Sequence, residues 1–155
     1  MNKTNALRIL DSKDISYEVF EYDISNGLAA TEIAKQLNED ENQVFKTLVC
    51  VGKSNQHYVF VIPSNKELNL KFAAEVTGEK YIEMILQKEL LPLTGYIHGG
   101  CSPIAMKKQF PTFIDESAIL YDYIYVSAGK VGMQIKINPD DLIKVVLAKY
   151  ARLTN

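Results

Sequence analysis

Apolar residues recur along this chain at two spacings, helical and strand-like, in mixed order. Near the start Ala6, Leu7, Ile9 and Leu10 follow Thr4 at helical spacing and predict a short amphipathic helix, N-capped by Thr4, ending near Asp11 to Lys13. The β-rich stretch Tyr17, Val19, Phe20, Tyr22 predicts a strand. Thr31, Ile33, Ala34 and Leu37 return to helical spacing with Thr31 a candidate cap, and the polar run Asn38 to Gln43 ends that helix. Two continuously apolar runs, Thr47 to Val51 and Tyr58 to Ile62, are joined by Gly52-Lys53-Ser54-Asn55 and closed by Pro63. They read as a hairpin whose strands are largely buried, since a strand wetted on one face would alternate.

Asn69 is placed to cap a helix over Leu70 to Val76 that stops at Gly78, and a further helix is expected around Glu83 to Leu90, stopped by Pro92. From Thr94 the texture changes to turns and short β segments: TGYIHGGCSP, TFID, YDYIYVSAGKVG and MQIKI. Asn138-Pro139-Asp140-Asp141 then begins a helix, with an N-cap, Pro at the first position and acids at the positive dipole end. Leu142, Val145, Val146 and Tyr150 are expected on its buried face. The sum is an α+β fold, a mixed and barrel-like β-sheet flanked by helices.

Length and composition narrow the picture. With 155 residues, 47% hydrophobic and 23% charged, the chain fits one domain spanning residues 1–155, large enough to be held by packing alone. A net charge of −2 argues against bulk electrostatic coating of nucleic acid, so any such contact must be local, and no DNA partner is expected. The opening residues carry charges at Lys3, Arg8, Asp11, Lys13 and Asp14, unlike a signal peptide. No stretch approaches the length of a membrane span; a cytoplasmic location is expected. Cys50 and Cys101 stand far apart without a CxxC or a His pair, so free thiols and no metal are expected.

Candidate chemistry sits in three segments. Lys46, between Phe45 and Thr47 at the entry to an apolar strand, is either an edge lysine reaching water or a functional charge at a cleft. Gly99-Gly100-Cys101-Ser102-Pro103 permits positive φ at two successive positions, as a plain turn or as a loop presenting backbone N–H groups to an anion or carbonyl oxygen. Cys101 and Ser102 suggest a nucleophile, but His57 and His98 are the only histidines and neither has an evident acidic orienter. Ser127-Ala128-Gly129-Lys130-Val131-Gly132 is a small-residue turn carrying one cation, without P-loop spacing. Lys107 and Lys108 form a modest positive strip or a solvated face. Tyr121, Tyr123 and Tyr125 alternate as though on one face of a strand, for packing or for stacking on bases.

Taken in order, KTNALRIL, Val44-Phe45-Lys46-Thr47-Leu48, Leu68-Asn69-Leu70-Lys71, Gly99 to Pro103, Pro111-Thr112-Phe113-Ile114-Asp115 and Ser127-Ala128-Gly129-Lys130 resemble the YbaK/EbsC family. These are free-standing relatives of the editing domain of bacterial-type prolyl-tRNA synthetases, and the likeness runs from about Lys3 to about Leu147. The resemblance implies a trans-editing deacylase that removes a wrong amino acid from tRNA(Pro), with Cys-tRNA(Pro) the best-known substrate. It implies Lys46 near the terminal ribose and ester, and Gly99, Gly100, Cys101, Ser102 and Pro103 cradling the aminoacyl end. Tyr22 would line the same pocket, with Ser127, Gly129 and Lys130 as the opposite wall. It also implies no cofactor, the acceptor end of aminoacyl-tRNA as partner, and prolyl-tRNA synthetase as a further one. The alternative is a non-catalytic adaptor that binds aminoacyl-tRNA or a synthetase; a third reading is a small-metabolite binder. Three positions depart from the family pattern: Phe45 where Tyr is frequent, Val131 where Arg is frequent, and Gln134 where a well-known member carries Asp.

Overall fold

The computed structural model describes residues 3–23 and 30–155. Helix α1 (Asn5–Ser12) is capped by Thr4, whose hydroxyl accepts the Leu7 N–H at 3.3 Å, and it buries Ala6, Leu7 and Leu10. Each leucine hidden this way stabilises the fold by about 2 kcal/mol. Strand β1 (Glu18–Glu21) follows, then α2 (Ala30–Leu37), a 3-10 turn at Glu41–Gln43, and the hairpin β2 (Phe45–Gly52) and β3 (His57–Pro63). Asn55 takes positive φ (72°) in the hairpin turn, a conformation its short amide side chain tolerates. Next come α3 (Leu70–Thr77), β4 (Ile82–Met84), α4 (Gln87–Thr94), β5 (Thr112–Asp115), β6 (Ile124–Lys130), β7 (Met133–Ile137), α5 (Pro139–Val146) and β8 (Lys149–Ala151).

The strands form two sheets, ordered β1-β7-β6 and β4-β2-β3-β5-β8, the second mixing antiparallel and parallel pairs. A parallel bridge between Val44, just before β2, and Tyr125 on β6 links the two sheets. The main core lies between them: Phe45, Val49, Val59 and Val61 meet Ile124, Val126, Ile135 and Ile137, with α1 and α5 packed on. A second cluster on the far face of the larger sheet gathers Cys50, Tyr58, Phe60, Ile62, Ala73, Ile82 and Leu153. This is why both hairpin runs are continuously apolar: each strand face meets a core.

Two carboxylates tie down chain segments. Asp115, 2% exposed, accepts the Ser117 N–H and hydroxyl and the N–H groups of Leu153 and Thr154, pinning the last residues under the larger sheet. Glu79 accepts the Ser54 N–H at 3.1 Å and the Tyr58 hydroxyl at 2.6 Å, clamping the hairpin turn to the end of α3.

Four expectations are corrected. Helix α2 already includes Thr31, so Thr31 is not its cap, and the residues before Ala30 lie outside the described ones. The expected helix over Glu83 to Leu90 divides: Glu83 lies on β4 opposite Val51 of β2, while α4 runs through Pro92 to Thr94. Pro92 falls in the last turn of α4, where the N–H it lacks would have met the Lys88 carbonyl, so one ladder bond is forgone; beyond it the helix closes with Leu90 accepting the Thr94 hydroxyl and Leu91 the Gly95 N–H. Tyr150 is not on α5, which stops at Leu147 in the left-handed region (φ 56°); it sits on β8, parallel to β5. The three tyrosines do not share a strand face: β6 starts at Ile124, Tyr123 is half exposed and Tyr125 is buried.

Candidate active site

Strand register assembles the site. Ser127 on β6 faces Gln134 on β7, and Gln134 faces Phe20 on β1, so the three share one face of the smaller sheet. Tyr22 continues the β1 direction, its N–H bonded to the Gly132 carbonyl at 2.9 Å, and its ring is buried with Ile33, Ala34, Val44 and Tyr125. Two residues beyond the Val44–Tyr125 bridge on the two strands stand Lys46 and Ser127. Here lies a cavity of about 290 Å³ lined by Tyr22, Ile33, Val44, Phe45, Lys46, Thr47, Leu48, Ser64, Leu90, His98, Gly99, Cys101, Ser127 and Gln134. Lys46 makes no ion pair among the described residues, and no described lining residue is Asp or Glu. The ammonium is therefore available to a ligand's negative charge.

The glycine loop reaches the same cavity through Gly99 and Cys101. Only Gly99 has positive φ (86°); Gly100 does not, which corrects the expectation of two successive such positions. Gly100 is required for space: an added Cβ would lie 3.0 Å from the Val131 amide nitrogen and 3.2 Å from the Lys130 carbonyl carbon. Its own N–H is donated to the Ile97 carbonyl at 3.0 Å. Ser102 is fully buried and its hydroxyl accepts the Ile104 N–H at 3.2 Å, a loop-closing role. The Tyr96 hydroxyl bonds the Ile104 carbonyl, and its ring packs where a Cβ on Gly129 (φ 100°) would lie, 3.0 Å from Cε1. Gly129 thus lets β6 approach the loop.

The sequence-derived candidates divide accordingly. Tyr22, Lys46, Gly99, Cys101 and Ser127 line one cavity. Gly100, Ser102, Pro103 and Gly129 are not among its lining residues; Gly100, Ser102 and Gly129 shape the loop and its seat. Lys130 is exposed and lines a neighbouring hollow of about 200 Å³ with Glu21, Tyr22, Val131, Gly132 and Met133, so Tyr22 separates the two spaces. Cys101 is 8% exposed, and burial pushes its thiol up to about 12, which keeps it protonated near neutrality. His98 lines the cavity and is exposed. Lys108 lies over the Phe110 ring, and neither it nor Lys107 lines the cavity. Among the described residues no cluster of three His, Cys, Asp or Glu could hold a metal ion.

Sequence reasoning missed Thr47 and Ser64 as lining residues. Thr47 follows Lys46 directly, and the Ser64 N–H bonds the Val44 carbonyl at 2.7 Å, which holds it beside the strand entry.

The chain matches the aminoacyl-tRNA editing domain family over residues 25–145. It is 44% identical over 153 residues to EbsC of Enterococcus faecalis, a proposed Cys-tRNA(Pro)/Cys-tRNA(Cys) deacylase, covering 98% of this chain and 93% of that protein. Its fold is similar to a crystal structure described as a proposed trans-editing enzyme for prolyl-tRNA synthetase (TM-score 0.86, 23% identity, 99% of both chains). It is also similar to that of the hypothetical protein APE2540 (TM-score 0.87, 21% identity, 96% of this chain and 98% of that one). With the match across most of its length and the close relation to EbsC, the chain belongs to the aminoacyl-tRNA editing domain family.

Proposed function

We propose that this protein is a trans-acting deacylase of mischarged tRNA(Pro), with Cys-tRNA(Pro) as its preferred substrate. The observation that carries this reading is the convergence of Lys46 and the Gly99–Cys101 stretch on one cavity. An aminoacyl ester is already activated, so a site need mainly position the attacking atom and stabilise charge developing on the carbonyl oxygen. Lys46 supplies the charge and positions the terminal ribose and ester, and the loop shapes the aminoacyl end of the pocket. Tyr22 and Ser127 form the facing wall.

The enzyme need supply no nucleophile, which fits a buried, protonated Cys101 and a Ser102 committed to the loop. With a cysteinyl ester, the substrate thiol attacks its own carbonyl. A sulfur–carbon bond forms, the ester carbon–oxygen bond breaks, and the thiol proton passes to the departing ribose oxygen, releasing a thiolactone. Other aminoacyl groups require water or the neighbouring ribose hydroxyl.

We read residues 1–155 as one functional unit, because the cavity draws on residues from Tyr22 to Gln134. A net charge of −2 supplies little general affinity for tRNA, which favours prolyl-tRNA synthetase as a partner that delivers it. The test is the lifetime of Cys-tRNA(Pro) and Ala-tRNA(Pro) with and without the protein. Faster loss of Cys-tRNA(Pro) is expected; unchanged lifetimes for both eliminate the deacylase and leave the adaptor reading.

A further inference from the structure

A β-turn carries His98. The Gly100 N–H donates to the Ile97 carbonyl at 3.0 Å and Gly99 takes positive φ (86°), so His98 and Gly99 are the two central residues of the turn. Both line the cavity that Lys46 lines, and His98 is exposed, so it touches the cavity and bulk water alike. Among the described residues no hydrogen bond or ion pair engages its imidazole.

Elimination singles out this ring. The ionisable groups among the described lining residues are Tyr22, Lys46, His98 and Cys101, and α2, α4, β6 and β7 contribute none. An ammonium such as that of Lys46 has no lone pair to accept a proton. Burial pushes the Cys101 thiol up to about 12, and the Tyr22 hydroxyl already accepts the Gln134 amide at 3.3 Å. Imidazole is the side-chain group suited to taking and returning a proton around neutral pH.

The attacking atom decides where such a base matters. A thiol ionises near pH 8.5 and needs little help, whereas water ionises only near about 15.7. We infer that the His98 imidazole is the base that takes a proton from water attacking an aminoacyl ester with no internal nucleophile, which gives this cavity a hydrolytic activity beside the thiol-driven release. The water oxygen bonds to the carbonyl carbon and its proton passes to the imidazole. The ester carbon–oxygen bond then breaks, and the imidazolium returns the proton to the departing ribose oxygen, freeing the amino acid and the tRNA. This rests on the deacylase reading, which supplies the ester and the charge of Lys46 opposite its carbonyl oxygen.

The test is single-turnover cleavage of Ala-tRNA(Pro) and Cys-tRNA(Pro) by wild type, His98→Gln and His98→Ala across neutral pH, with melting curves to confirm folding. Both variants should lose about a hundredfold on the alanyl ester, and their alanyl-to-cysteinyl rate ratio should fall at least about tenfold below that of wild type. The wild-type alanyl rate should rise with pH and level off once the imidazole is neutral, while the variants' rates rise in proportion to hydroxide throughout.

An unchanged ratio overturns the inference, because a histidine that only shapes the turn or holds the tRNA slows both esters alike. So does a variant that keeps the wild-type levelling with pH. Wild type that cleaves Cys-tRNA(Pro) but spares Ala-tRNA(Pro) removes the hydrolytic activity and leaves the deacylase reading in place. Wild type that spares both removes the deacylase reading itself.

Discussion

Gly100 lies against the main chain of Val131 so closely that a methyl group on its Cα would stand 3.0 Å from the Val131 amide nitrogen. Backbone cannot swing aside as a lysine side chain can. Gly100→Ala should therefore push the loop off its seat, costing about 1–3 kcal/mol of stability, as overpacking typically does, and lowering deacylation through the flanking Gly99 and Cys101. Gly100→Val should do more of both. Urea unfolding and single-turnover hydrolysis check this, and an alanine variant matching wild type in both would show that the close contact does not constrain the loop.

Cys101→Ala should keep most of its activity, since burial holds the thiol protonated and the proposed chemistry does not use it. Burial pushes both Cys50 and Cys101 up to about 12, so iodoacetamide at pH 8 should label the folded protein at least about tenfold more slowly than the urea-unfolded chain. An inactive Cys101→Ala protein that is still folded would restore the nucleophile.

Asp115→Ala should destabilise strongly without touching the site. Its carboxylate accepts N–H groups from Ser117, Leu153 and Thr154, and removing it strands those donors in a buried place. A loss of about 3 kcal/mol is expected, with activity per folded molecule unchanged. Denaturation midpoints read the first, and active-site-normalised rates the second.

Glu79 gives stability a pH dependence with a definite sign. Hydrogen bonds from Ser54 and Tyr58 hold its carboxyl below the ordinary 4.5. A group whose folded pKa lies below its unfolded one adds stability above the unfolded value and loses it as pH falls through the folded one. The difference in melting temperature between wild type and Glu79→Gln should therefore be largest near neutrality and shrink below pH 4.5. A difference that stays constant across that range would contradict the clamp.

Much of this was legible in the sequence where local rules act. The hairpin followed from two continuously apolar runs around a Gly-to-Asn turn, and the caps Thr4, Asn69 and Asn138 each accept the backbone bonds their residue type implies. Lys46 stood out because its neighbours are apolar, and Gly99 because a turn needed it. Long-range features were not legible. The Gln134–Tyr22 bond spans 112 positions, the joining of two sheets at Val44 and Tyr125 has no local signature, and β8 is only three residues long. Pro92 misled because a proline in the last turn of a short helix forgoes one ladder bond with little helix left to break after it.

The candidate site residues came from resemblance, and packing divides them between the cavity lining and the loop that seats it. The glycine loop contributes two residues to the lining, while Gly100 and Ser102 hold it in shape. Lys130 lines the adjoining hollow beyond Tyr22 and does not line the cavity that holds Lys46. Lys130→Ala should accordingly raise KM for Cys-tRNA(Pro) more than it lowers kcat, and a pure kcat loss would place Lys130 at the reacting atoms.

Under the proposed function the Lys46 ammonium acts on the ester. Single-turnover cleavage of Cys-tRNA(Pro) by wild type and by folded Lys46→Ala is the direct measurement: a fall of at least about tenfold is predicted, in line with loss of one preorganised charge. An Ala variant with the wild-type fold and the wild-type rate would contradict it.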